Sequence, residues 1–204
     1  MSRRQFRLFS AAVTAAAALT AVTAGTAAAG GAQTAGAVAK NLTFSCEFPL
    51  IGSNQVTAAV AATFPDSVAT GSPISVTDFS VGVNLNEDIV SALQLIGAAT
   101  VEGSAAANVD VNYNDTELGV TLNGLAFPST PVPASGGMAI TITGPVPGLT
   151  VKKPGTVKFA VGSAFTGKIT PRQADGTPTD LGTFDLPCTM DAGQDPALAT
   201  VTIN

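Results

Sequence analysis

Histidine and tryptophan are absent from this 204-residue sequence, tyrosine occurs once, cysteine twice, and aromatic residues make up only 5 %. Each shortage excludes a kind of chemistry. Without histidine there is no imidazole to activate a serine nucleophile, and neither a Ser-x-x-Lys pattern nor a Gly-x-Ser-x-Gly elbow replaces it. The same lack removes the commonest ligand of a zinc or copper site, and the cysteines Cys46 and Cys188 lack the Cys-x-x-Cys spacing. A carbohydrate cleft usually leans on tryptophan and tyrosine, so a carboxylate-dependent hydrolase, formally open to a chain with fourteen acids, stands last among the alternatives. No catalytic residue, cofactor or metal ligand is therefore expected.

What is present begins with an export address. Arg3, Arg4 and Arg7 precede an uncharged stretch from Leu8 to Ala39 rich in alanine and threonine, and Ala27-Ala28-Ala29 offers the small residues of a cleavage site. Ser2-Arg3-Arg4-Gln5-Phe6 is similar to a twin-arginine signal, with Arg3, Arg4 and Phe6 as its marks. Arg7 stands where that pattern has leucine, which keeps the general secretory route as the alternative. The stretch is long enough to cross a bilayer of about 30 Å, but alanine, threonine and glycine gain little from hydrocarbon. Residues 1–29 are thus read as a signal peptide, 30–40 as a flexible linker and 41–204 as a single folded domain. The mature protein is expected to be secreted and extracellular, with cell-wall association as an alternative and no stable membrane insertion after cleavage.

Loss of Arg3, Arg4 and Arg7 leaves six bases against fourteen acids, a net charge of minus eight. Such a surface repels nucleic acid. The charges are also segregated. Asn41 to Glu117 holds nine acids and no base, Leu118 to Ala174 five bases and no acid, and the chain from Asp175 five acids and no base. Lys152, Lys153, Lys158, Lys168 and Arg172 are accordingly candidates for an anion-binding patch, with a cell-wall polymer or the acidic face of another copy as partner. The plainer reading is that distant strands interleave in space and disperse them.

Two cysteines in an exported chain read as one disulfide. Phe44, Cys46 and Phe48 share one side of an alternating segment, as do Phe184, Leu186 and Cys188, so both sulfurs point inward. Much of the 46 % hydrophobic content is alanine, which makes a thin core that benefits from a covalent tie.

Alternation with period two recurs along the domain: Val56, Val60 and Phe64; Leu118, Val120 and Leu122; Ile140 and Ile142; Val157, Phe159 and Val161; Ala199, Val201 and Ile203. Turn clusters separate these runs, which signals an all-β sandwich or barrel. Ile74 and Val76 are out of phase with Phe79, Val81, Val83 and Leu85, so a bulge is expected near Thr77-Asp78. One helix is expected over residues 87–96, with Asn86 as N-cap, Glu87 and Asp88 in its first turn, Ile89, Leu93 and Ile96 on one face, and Gly97 at its end. The helix start accounts for the paired carboxylates without catalysis. Asp110, Asn112 and Asn114 have the spacing of a calcium-loop opening, but Asp115 replaces the required glycine and Thr121 stands at the final ligand position, so a wet strand face is the better reading.

Several segments carry a family resemblance: Cys46-Glu47-Phe48-Pro49-Leu50-Ile51-Gly52, Ala62 to Val68, Val90-Ser91-Ala92-Leu93 with Gly97 to Gly103, Pro131 to Gly136, and Gly193-Gln194-Asp195 with Leu198-Ala199-Thr200. The chain from Leu42 onward resembles a family of secreted actinobacterial proteins built on a domain of unknown function. The resemblance implies an immunoglobulin-like β-sandwich held by the cysteine pair and supplies no catalytic motif. The expected function is a non-enzymatic extracellular or cell-envelope binding module, with a self-associating surface protein as the alternative.

Overall fold

A computed structural model describes residues 36–204. The leader, the Arg3, Arg4 and Phe6 signal and the first part of the linker lie outside the described residues. In chain order the strands are β1 (Ala37–Phe48), β2 (Gly52–Thr63), β3 (Ser67–Val68), β4 (Pro73–Ile74) and β5 (Thr77–Leu85). Helix α1 (Glu87–Leu95) follows. After it come β6 (Thr100–Tyr113), β7 (Thr116–Pro131), β8 (Met138–Thr143), β9 (Leu149–Thr150), β10 (Gly155–Arg172), β11 (Phe184–Met190) and β12 (Ala197–Ile203). The all-β class with one helix is as expected.

The architecture differs from the immunoglobulin-like sandwich. Pairing runs β11-β1-β2-β5-β8-β7-β6-β10, and β10 pairs again with β11, so eight strands close on themselves as a barrel instead of forming two separate facing sheets. The closure depends on the length of β10, whose 18 residues serve two partners on one side: residues 155–160 pair with β12 and residues 164–169 with β11. Between these halves the register against β6 shifts between Val161 and Phe165, bending the strand from one partner to the other. Gly162 sits in the bend because a Cβ there would lie 2.6 Å from the Asn108 carbonyl oxygen. The narrowest seam is β7–β8, joined by the single pair Ala126 and Thr143.

Local rules explain the other elements. The bulge appears where the phase change placed it: Asp78 has φ +53°, and Ala61 pairs with Ser80 while Thr63 pairs with Thr77. Asn86 Oδ1 accepts the Ile89 N–H at 3.0 Å, and Gly97 leaves the helix at φ +73°. Asn114 and Asp115, at φ +46° and +65°, form the two-residue turn of the β6–β7 hairpin, the conformation that twisted hairpins favour. The expected linker is shorter than residue 40: Ala37 to Lys40 are already strand, with Val38 buried opposite Ala62.

Cys46 and Cys188 are bonded, 142 residues apart in sequence. They are directly opposed on the adjacent strands β1 and β11, so the bridge ties two staves of one ring and does not span two layers. Side chains facing inward form two clusters. One gathers Leu42, Phe44, Cys46, Ile89, Leu93, Val101 and Phe127 toward α1, and Phe44 meets Phe165 edge-on at 5.0 Å. The other gathers Val38, Phe64, Ile74, Val157 and Val201 toward β3 and β4. No helix among the described residues is long and apolar enough to cross a membrane.

Candidate functional site

Every second residue of a barrel strand faces inward, and an eight-strand ring has an interior just wide enough for side chains to fill it or to hold one small ligand. Here many inward positions are small: Ala58 and Ala62 on β2, Ala105 and Ala107 on β6, Gly162 and Gly167 on β10. Side chains of that size leave the ring underfilled. Three cavities of about 80, 70 and 140 Å³ succeed one another along its interior.

The first lies under α1 and is lined by all eight staves together with Ile89, Leu93 and Ile96 of the helix. The second occupies the middle, between Phe44, Ala58, Ala107, Leu125 and Ala164. The third lies at the far end, where Ile74 of β4 and residues 146–149 lie across it. Consecutive cavities share walls: Val83, Ala105, Ile142 and Phe165 line both the first and the second. Phe79, Val60, Val109, Leu122 and Leu198 line both the second and the third. No charged residue lines any of the three. Ser104 and Asn108 belong to exposed positions of β6 and contribute no side chain to the core.

The α1 end is also where the surface is greasy. Among the described residues four large hydrophobic side chains are exposed, and three of them sit here: Leu95 of α1 (86 %), and Leu50 (54 %) and Ile51 (37 %) of the β1–β2 turn. Leu50 and Ile51 also line the first cavity. Leu118, the fourth, lies near the β6–β7 hairpin at the other end.

A polar seam completes the wall where β11 departs from β1. Past Met190 the chain turns, and Asp191 donates its N–H to the Thr43 carbonyl at 3.0 Å. Gln194 then spans Thr43, while the Asp191 carboxylate accepts from Ser45 Oγ and Gln55 Nε2, both at 2.7 Å. Lys40 occupies an inward register position of β1, between buried Val38 and Leu42, and its ammonium reaches Asp195 at 2.7 Å. The Lys40 hydrogen bond, aided by the Ala197 N–H, lowers the Asp195 pKa below the ordinary 3.8. Asp175 is lowered as well, by the hydroxyl and N–H of Thr177. Neither carboxyl is near the cavities.

The cationic residues fall into two groups. Lys152, Lys153 and Lys158 lie at the end of β10 near the Tyr113 hairpin, and Tyr113 Oη donates to the Lys153 carbonyl at 3.1 Å. Lys168 and Arg172 lie toward α1, ten or more residues further along the strand, roughly 30 Å away. Both are paired there, Lys168 with Asp185 at 2.9 Å and Arg172 with Glu102 at 2.6 Å. Asp110, Asn112 and Asn114 stand on β6 and its turn, Asn112 Oδ1 accepting the Asp115 N–H and Asn114 Oδ1 the Thr156 N–H. Among the described residues no cluster of three acidic or sulfur ligands could hold a metal.

Composition announced the underfilled interior as a weak core, but the cavities themselves were not read from it. The seam carried no local signal, since Gln194 and Thr43 are 151 positions apart.

These features define a disulfide-tied, closed β-barrel with an apolar interior. The chain belongs to the DUF6801 family, described as a family of unknown function, whose family model matches residues 43–199. Comparison with curated proteins and with solved structures gives no match.

Proposed function

We propose that this is an exported, non-catalytic binding module of the extracellular space or cell envelope, and that its ligand lies inside the barrel. The run of three apolar cavities through the ring carries this reading. Small-molecule sites are concave and mainly apolar, and eight-strand barrels can hold one such ligand. The buried disulfide suits an oxidising compartment. The leader supports export by the twin-arginine route, which replacement of Arg3 and Arg4 by lysine tests through the amount of protein in the medium.

Interior binding is tested by titrating delipidated mature protein with an environment-sensitive apolar dye. Saturable binding near one equivalent, abolished by urea unfolding, is the expected result. A signal that never saturates, or that persists unchanged in the unfolded chain, rejects an interior site. Fractionation into medium, wall and membrane then tests the compartment.

A further inference from the structure

We infer that the ligand is a single linear acyl chain, threaded tail first from the α1 end, with its polar head left outside. The inference rests on the interior-ligand reading above and adds shape, direction and chemical class.

Shape comes from the cavities. The largest is about 140 Å³, close to the roughly 150 Å³ of an engineered apolar cavity that holds benzene. A fused polycyclic ligand fits none of the three alone, and we place a waist where consecutive spaces share walls. Val83, Ile142 and Phe165 line the first waist, and Phe79, Leu122 and Leu198 the second. A flexible polymethylene chain, one carbon wide, can pass both waists and occupy all three spaces in turn.

Direction comes from the two ends. At the far end, β4 pairs with β9 through Pro73–Thr150 and Ile74–Leu149, and buried Ile74 lies across the third cavity beside Pro147 and Gly148. At the α1 end the first cavity reaches Leu50 and Ile51, which form a rim open to solvent, and Leu95 of α1 is exposed as well. Such a rim can rest on a lipid surface while a chain transfers. The head group stays outside because the cavities offer it no polar partner, and an unpaired polar group in such surroundings is costly to bury.

The test is competition against a bound fluorescent polyene fatty acid. Competitors are saturated fatty acids of increasing length, the matching lysophospholipids, and a sterol as the compact control. Affinity should rise by about fourfold per added methylene while the chain is still filling the barrel, then level off when its end meets β4. The sterol should not compete. Fatty acids alone competing identifies a free acid as the source, and equal competition by lysophospholipids identifies a lipid tail; both outcomes support an acyl chain. A sterol that competes as well as the acids, or affinity independent of length, overturns the linear chain while leaving an interior site intact. Failure of the polyene acid to bind, together with failure of the apolar dye, removes both readings.

Two substitutions check the path. Ala105→Leu narrows the first waist, and Ala58→Leu fills the middle cavity, so either should weaken long chains at least tenfold, and Ala58→Leu, whose site lies beyond the first cavity, should leave short ones unchanged. If one variant does not fold, the other decides. Wild-type affinity for long chains in a folded variant overturns the threaded path.

Discussion

Gln194 stands in for a strand against Thr43: its Oε1 accepts the Thr43 N–H and its Nε2 donates to the Thr43 carbonyl, each at 2.7 Å. One side chain thus continues the β1 ladder where β11 has turned away. Gln194→Ala leaves the half-buried Thr43 N–H without this partner, while the carbonyl keeps the Asp191 N–H. A destabilisation of about 1–3 kcal/mol is expected, read from the urea midpoint, with faster hydrogen exchange at the Thr43 amide. An unchanged midpoint and exchange rate would show that water serves Thr43 equally well.

The covalent tie acts on the unfolded chain. Closing a loop of 142 residues removes denatured-state entropy equivalent to roughly 5 kcal/mol in the chain-entropy model, and native bridges commonly give 2–5 kcal/mol. The Cys46→Ala, Cys188→Ala double variant should lose a stability in that range, and reduction should lower the wild type by a similar amount while leaving the variant unchanged. A double variant as stable as the oxidised protein contradicts this.

Acid should loosen the seam. The Asp195 pKa is lowered in the folded protein, so its carboxylate contributes stability that is fully present above the unfolded value near 3.8 and is lost as pH falls through the lowered folded value. Asp195→Asn should therefore reduce the melting temperature slightly at neutral pH, and the difference from wild type should shrink below about pH 4. The group is solvent-exposed, so the effect is small and should diminish further in high salt. A difference that grows on acidification would reverse the assigned sign.

Helix α1 depends on its cap. Asn86→Ala removes the acceptor for the Ile89 N–H and should cost about 1 kcal/mol. Because Ile89, Leu93 and Ile96 line the first cavity, the same variant should raise the rate of dye exchange more than it lowers the melting temperature would suggest. Equal dye kinetics in variant and wild type would separate the helix from the mouth.

Local features were legible because they are written locally. The alternation of Val56, Val60 and Phe64, the phase change before Phe79 and the Asn86 cap each depend on residues a few positions apart. Inward-facing Cys46 and Cys188 were legible for the same reason, and they meet. Closure was not, because it depends on which neighbours β10 takes in each half, and a sandwich and a barrel share the same alternation. The linker boundary was missed because Ala37-Val38-Ala39 looks like linker composition until Ala62 is seen opposite Val38. The five basic residues share a sequence interval, but a strand as long as β10 carries its two ends apart.

The closed topology also governs how this chain behaves in company. Apolar, alanine-rich and valine-rich segments are prone to template one another wherever a bare backbone margin is offered. In the main sheet β3, only Ser67 and Val68, forms the terminal stave beside β12, and it lies parallel to it. So short a margin gives a second copy little ladder to extend there, whereas β7 and β8, joined by one pair, leave longer facing margins, and main-chain association of copies would begin at that seam.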